Sequence, residues 1–411
     1  MDYTPHFDHP PQRKGTNSEK WDLLHHIFGT EDVLPLWVAD MDYAIAQPIQ
    51  QALQNSAEHG VIGYSFKSTS YHEALKNWMQ HKHGWQIEDE WVVFTPGVVA
   101  ALNFAVQTFT DHGDKVMIQT PVYPPFYSVV TGHGREVVTS PLKQLDNGQY
   151  EMDFDHLERT LDESVKLFIL CSPHNPIGRV WTRDEMERLE ALCSKYNIIV
   201  VSDEIHGDLV HEPNRHIPYA MLSESARNRS IICTAPSKTF NIAGLNTSNI
   251  IIPNKELRDA FALKVNNFGV GSISQFGAVA TEAAYRGGQE WLEQCMAYIR
   301  SNMQYVQQYI GEHLPELSVN LPEATYLLWI NFRSLKMEQK DLVSFLLDDA
   351  RIALNDGRAF GMNGEGFMRM NLACSRSLLE EAMERLHRAL VSRRTTHTTT
   401  DGEAVSDTVP V

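Results

Sequence analysis

What most restricts the fold of this chain is an alternation through its middle, in which short β-branched apolar runs are separated by stretches with helical spacing. The runs are Trp91–Phe94 (WVVF), Lys115–Ile118 (KVMI), Val165–Leu170 (VKLFIL), Ile198–Val201 (IIVV) and Ser230–Cys233 (SIIC). Helical patterns such as Gly97–Thr108 and Thr182–Tyr196 lie between them. Such runs, bounded by turn signals, imply an α/β fold, a mostly parallel sheet with helices on both faces. Ligands of such sheets bind outside the carboxyl ends of the strands, so chemistry is expected just after each run.

At 411 residues the chain exceeds one ordinary core and should divide into about two domains. Gly287-Gly288 ends the alternation, and a long helical stretch follows from Gln289 to about His313. Next come Tyr326–Ile330 (YLLWI), a helical pattern near Glu338–Ala350 and a strand pattern around Gly366–Leu372, a smaller α+β layout. The expected division is an N-terminal segment, 1–48, packing with a small C-terminal domain, 288–392, around a large domain, 49–287. The Thr-rich tail, 393–411, has almost no large apolar residue and is expected to be disordered.

Several functions are disfavoured. A formal net charge of -17 opposes general binding to nucleic acid or an anionic membrane. The first residues, MDYTPHFDHPPQRKGTNSEKWD, contain no apolar leader, and no apolar run approaches the roughly 20 residues of a membrane helix. Five scattered cysteines without paired metal spacing read as reduced thiols of a cytoplasmic protein. The histidines form no metal-binding cluster, so no metal is expected.

Four features follow the apolar runs. Lys238 stands among small residues in SIICTAPSKTFNIAGLN. Alone it reads as an exposed loop lysine; at a strand end it is also placed for desolvation, which lowers an amine's pKa and frees it for a Schiff base. Asp203 ends IIVVSD, where a carboxylate needs a cation or a donor. A helix cap, a buried ion pair and a partner for a protonated pyridine nitrogen all remain open. Asn175, in SPHNPIGR, reads as a turn residue that shares a strand edge with Asp203 and Lys238. In WVVFTPGVVAAL a strand turns into a helix whose first N–H groups suit a phosphate, as they also suit an ordinary turn.

Taken in order and spacing, TPGVVAAL, PVYPPF, SPHNPIGRVW, VSDEIH and SKTFNIAGL resemble the fold-type-I pyridoxal-phosphate enzymes of the class I/II aminotransferase group. The resemblance runs from about Gly15 to Arg388. GTNSEKWD, LPLWVADMDYAIAQPI and HGVIGYS are similar to the cystathionine β-lyase-like C–S lyase subgroup. The resemblance implies that the large domain binds pyridoxal 5'-phosphate. Lys238 would hold the cofactor and move the Cα proton, Asp203 would sit beneath the pyridine nitrogen, and Asn175 would bond the phenolic oxygen. Tyr123 would stack on the ring and join the catalysis. Gly97, Val98 and Val99 would form the phosphate cup with Thr234 and Ser237. Tyr64 would reach the phosphate from a second copy, making a homodimer with shared sites, although a core tyrosine reads the same way. Arg369, in FMRMNLAC, would fork onto the substrate's α-carboxylate. Asn175, Trp37 and Val38 would also line the substrate side.

Four positions depart from the wider group. Asn246 stands where many relatives carry a phosphate-binding arginine, Val99 and Ala235 replace hydroxyl residues, and His206 stands where a tyrosine is common. The loss of the arginine favours the lyase branch. The resemblance thus implies β-elimination of L-cystathionine or a related cysteine S-conjugate to a thiol, pyruvate and ammonia. An aminotransferase using the same residues is the alternative, and a regulatory or binding protein on the same fold is another.

Overall fold

A computed structural model describes residues 2–402, with side chains to residue 395. Its centre is a seven-stranded sheet of β1 (Val92–Thr95), β2 (Lys115–Thr120), β3 (Glu136–Pro141), β4 (Val165–Cys171), β5 (Ile199–Asp203), β6 (Ser230–Thr234) and β7 (Ser248–Ile251). Their order across the sheet is β1-β7-β6-β5-β4-β2-β3. Only β7 runs antiparallel to its neighbours, so the other six point their carboxyl ends the same way.

The central strands read as unbroken apolar runs because both faces are covered. Along β4, Leu167, Ile169 and Cys171 join one core with Val98, Leu102 and Phe261, while Phe168 and Leu170 face the other. That second core continues through Trp291 and Ile299 into the C-terminal part. The helix after β4, Arg183–Lys195, starts in a capping box: Thr182 accepts from the Glu185 N–H, and the Glu185 carboxylate accepts from the Thr182 N–H.

The C-terminal part holds a four-stranded antiparallel sheet of Ser318–Val319, Leu327–Asn331, Phe367–Asn371 and Asn355–Asp356, in that spatial order. Two long helices, Gln289–His313 and Arg376–Gly402, accompany it. The chain's first residues reach this part: Leu34–Pro35 pairs in parallel with Ile352–Ala353, and the Tyr43 hydroxyl donates to the Cys374 carbonyl at 2.7 Å.

The structure amends the sequence reading at several points. Two strands, β3 and β7, join the five expected runs. The helix expected near Glu338–Ala350 is α-helical over Gln339–Ser344 and widens to a π-turn over Phe345–Asp349. The tail expected to be disordered from 393 continues the last helix to Gly402; the rest of that expectation lies outside the described residues. Among the described residues no helix is long and apolar enough to cross a membrane, and no group of three or more His, Cys, Asp or Glu is placed to hold a metal. All five cysteines are buried and free.

Candidate active site

A cavity of about 840 Å³ opens at the carboxyl ends of the parallel strands, between the large sheet and the C-terminal part. Strand ends feed it in turn. Gly97 lies two residues past β1, Tyr123 three past β2, Asn175 four past β4, Asp203 at the end of β5, and Lys238 four past β6. From the C-terminal side Arg369 enters from its strand, and the N-terminal segment adds Trp37 and Val38. Val98, Val99, His206 and Ser237 complete the expected residues that line it.

Lys238 lies in the one-turn helix Pro236–Thr239. Its Nζ donates to the Ala39 carbonyl at 2.6 Å, which also accepts from the Tyr326 hydroxyl at 2.8 Å. Burial, with the Arg369 cation nearby, lowers this amine to about 8. Asp203 is 5% exposed and accepts from the Ile205 N–H at 3.1 Å. Burial raises its carboxyl to about 7 against the opposing influence of that hydrogen bond and Lys238. His206, buried beside Tyr326, is held neutral: burial, then the Lys238 and Arg369 cations, lowers it to about 3. Its Nδ1 has no hydrogen-bond partner. Burial and the Asp203 charge raise the Tyr123 hydroxyl.

Arg369 is 4% exposed. Nη1 donates to the Asn175 side-chain oxygen at 3.0 Å; Nη2 donates to the Trp37 carbonyl at 3.1 Å and the Asn355 side-chain oxygen at 2.6 Å. The guanidinium also lies 4.9 Å from the centre of the Phe360 ring. All three acceptors are neutral, and no ion pair joins Arg369 to an Asp or Glu among the described residues. Burial lowers it to about 10, and its Nε has no acceptor. This buried cation is arranged to receive a carboxylate.

At the cavity's far end Gly97 takes φ +103°, a conformation that favours glycine, and opens the helix Val98–Phe109. Asn246 also lines the cavity. Two expected residues do not join the group. The Thr234 hydroxyl donates to the Asn249 carbonyl of β7 at 2.9 Å, and Thr234 lines a separate small cavity. Tyr64 is fully exposed in a loop with Val61, Ile62 and Phe66, outside the cavity of a single chain. Conversely, sequence reading passed over Tyr326, Asn355 and the Ala39 carbonyl. Tyr326 opens the run YLLWI, which reads as core rather than as part of a site, Asn355 lies in a strand of two residues, and a backbone carbonyl leaves no sequence signal.

The chain is similar to known proteins over nearly its whole length. The profile of the family "Aminotransferase class I and II" matches residues 31–386. The chain is 43% identical over 385 residues to cystathionine beta-lyase PatB of Bacillus subtilis, covering 93% of this chain and 99% of that protein. It is 36% identical to Protein MalY of Escherichia coli, with 92% and 97% covered. The crystal structure of cystalysin from Treponema denticola, which contains a pyridoxal 5'-phosphate cofactor, superposes with a TM-score of 0.91 at 37% identity, covering 94% of this chain and 98% of that one.

Proposed function

The chain belongs to the aminotransferase class I and II family, and from that membership we propose that it is a pyridoxal-phosphate-dependent carbon–sulfur β-lyase. Its substrate is L-cystathionine or a related cysteine S-conjugate, released as a thiol (homocysteine from cystathionine), pyruvate and ammonia. The observation that carries an amino-acid substrate is Arg369, a buried guanidinium with only neutral acceptors. The lyase names of its relatives favour elimination over the aminotransferase alternative.

The residues present fit the cofactor. Asp203, raised by burial and without a cation bonded to it, would hold the ring nitrogen in its protonated form. Asn175 and His206, whose Nδ1 has no partner, would hold the phenolic oxygen, and Tyr123 would lie against the ring. Gly97, Val98 and Val99 would offer the phosphate a helix start, and Ser237 a hydroxyl. When bound, pyridoxal phosphate supplies the electron sink that lets a proton leave the substrate's Cα.

The chain's own groups do the rest. Arg369 fixes the substrate carboxylate and so aims the Cα–H bond. The amine of Lys238, lowered to about 8, is unprotonated in an appreciable fraction near neutral pH and takes that proton. The thiolate then leaves from Cβ as the Cα electron pair forms the Cα=Cβ bond, and water hydrolyses the released 2-aminoacrylate to pyruvate and ammonia. Neutral His206 can share a hydrogen bond without adding a positive charge beside Lys238.

The exposed loop of Val61, Ile62, Tyr64 and Phe66 supports a homodimer in which Tyr64 completes the partner's phosphate site. Five buried thiols without a disulfide support a cytoplasmic location.

The test is pyruvate release from L-cystathionine, with the visible spectrum recorded alongside and Lys238→Ala as control. Pyruvate from the parent and none from the variant is expected. A cofactor band with amino transfer to a 2-oxo acid but no pyruvate would replace the lyase with the aminotransferase.

A further inference from the structure

Behind the floor of the main cavity lie two buried carboxylate–imidazole pairs that the reaction above does not use. The Asp208 carboxylate pairs with His83 Nε2 at 2.8 Å and accepts from Trp78 Nε1 at 3.1 Å. Its second oxygen accepts from the Thr239 hydroxyl at 2.8 Å. Trp78 and His83 belong to the helix Thr69–His83, whereas Thr239 directly follows Lys238. Alongside, Glu204 pairs with His216 at 2.8 Å and accepts from the Tyr219 N–H at 2.9 Å, fixing the chain beside Asp203. The two imidazoles meet edge to face, 5.4 Å between centres.

The helix that presents Lys238 has four residues and no side-chain cap. One turn closes a single hydrogen bond for several fixed dihedrals and does not hold itself. Its position comes from outside, from Phe240 packed against Trp78 at 5.4 Å and from the bond between Thr239 and Asp208. Burial alone would raise the Asp208 carboxyl, but the His83 bond and charge outweigh it and keep it low, so it acts as a charged acceptor.

We propose that Asp208 and Thr239 are positioning residues: the buried Asp208 carboxylate, acting through the Thr239 hydroxyl, sets where the amine of Lys238 stands in the cavity. This rests on the reading of Lys238 as the reactive amine. Asp208 is itself fixed by Trp78 and His83, so it ties the Lys238 turn to a full-length helix rather than to another loop.

The test compares the full chain with Thr239→Val, which keeps the shape and removes the donor, and Thr239→Ser, which keeps the donor. Steady-state pyruvate release gives kcat and KM. The pH dependence of Lys238 acetylation, read by peptide mass spectrometry on protein freed of pyridoxal phosphate, gives the environment of the amine independently of turnover. Thr239→Val is expected to lower kcat on the order of tenfold at nearly constant KM. Its Lys238 titration should move up from about 8 toward that of an ordinary lysine. Thr239→Ser should match the parent in both. A folded Thr239→Val chain with the parent's Lys238 titration and kcat overturns the proposal, as does a Thr239→Ser chain that fails equally. If Thr239→Val does not fold, Thr239→Ala takes its place. If the parent makes no pyruvate, the lyase reading falls and the acetylation arm alone decides this one.

Discussion

Replacing Asn355 by Asp tests how the substrate is held, because it keeps the shape of the arginine's surroundings and changes only their charge. The Asn355 oxygen lies 2.6 Å from Arg369 Nη2 and is a neutral acceptor. That bond already has a charged donor; a charged acceptor adds a Coulomb attraction of about 4 kcal/mol at a separation of about 4 Å and an effective dielectric of about 20, and the cost of burying the new charge offsets the larger part, leaving about 0.5–2 kcal/mol. The substrate carboxylate must then compete with an internal one for the same guanidinium. At 1.4 kcal/mol per tenfold, KM for L-cystathionine should rise roughly 3- to 30-fold. Lys238 and Asp203 are untouched, so kcat should change little. A buried cation gains a partner, so the melting temperature should hold or rise, the reverse of an ordinary destabilising substitution. Steady-state pyruvate release and a thermal melt read both quantities. A KM within twofold of the parent, or a fall in kcat with KM constant, would refute the view that Arg369 waits for the substrate's carboxylate.

Two further outcomes follow from the same geometry. In protein freed of cofactor, the raised Asp203 carboxyl binds a proton that the unfolded chain releases above its ordinary value of 3.8. Its stabilisation is therefore full below that value and is lost as pH rises through about 7, up to roughly 4 kcal/mol. The parent should lose melting temperature relative to Asp203→Asn across that window, and parallel curves would contradict it. Mixing Lys238→Ala with Tyr64→Ala chains should restore activity to about a quarter of the parent's if sites are shared between copies, since half the dimers then hold one intact site. No recovery after subunit exchange would place Tyr64 outside the partner's site.

The strands most visible in the sequence were those buried on both faces, where β4 and β5 spell continuous apolar runs. β3 escaped notice because it is a half-exposed edge beginning at Glu136, and β7 because Ser248 and Asn249 interrupt its apolar character while remaining buried. Likewise Asn175, Asp203 and Lys238 were legible as polar groups just past such runs. Thr234 misled through proximity: it lies four residues before Lys238 but belongs to β6, where its pairing with Asn249 turns the hydroxyl toward β7. Asn355 was invisible because only strand pairing, Asn355 opposite Arg369, brings it to the site. The last helix runs past Arg393 because threonines are poor but not forbidden helix residues at the end of a long established helix.

The site's three principal groups share one property: burial pushes each toward its uncharged form. Lys238 falls to about 8, Arg369 to about 10, and Asp203 rises to about 7. A chain optimised only for stability would pair them with one another or replace them by apolar residues, which often stabilises a core. Here neutral groups separate them: the Ala39 carbonyl takes Lys238, and the Asn175 and Asn355 oxygens with the Trp37 carbonyl take Arg369. Each charge is thereby held in a fixed direction with its strongest interaction unspent. An aldehyde for the amine, a ring cation for the carboxylate and a carboxylate for the guanidinium are three different demands. Pyridoxal phosphate would meet the first two and an amino acid the third, so either component alone leaves at least one of them unmet. The stability lost locally is therefore the source of binding selectivity, and the surrounding double-faced sheet is what makes that local loss tolerable.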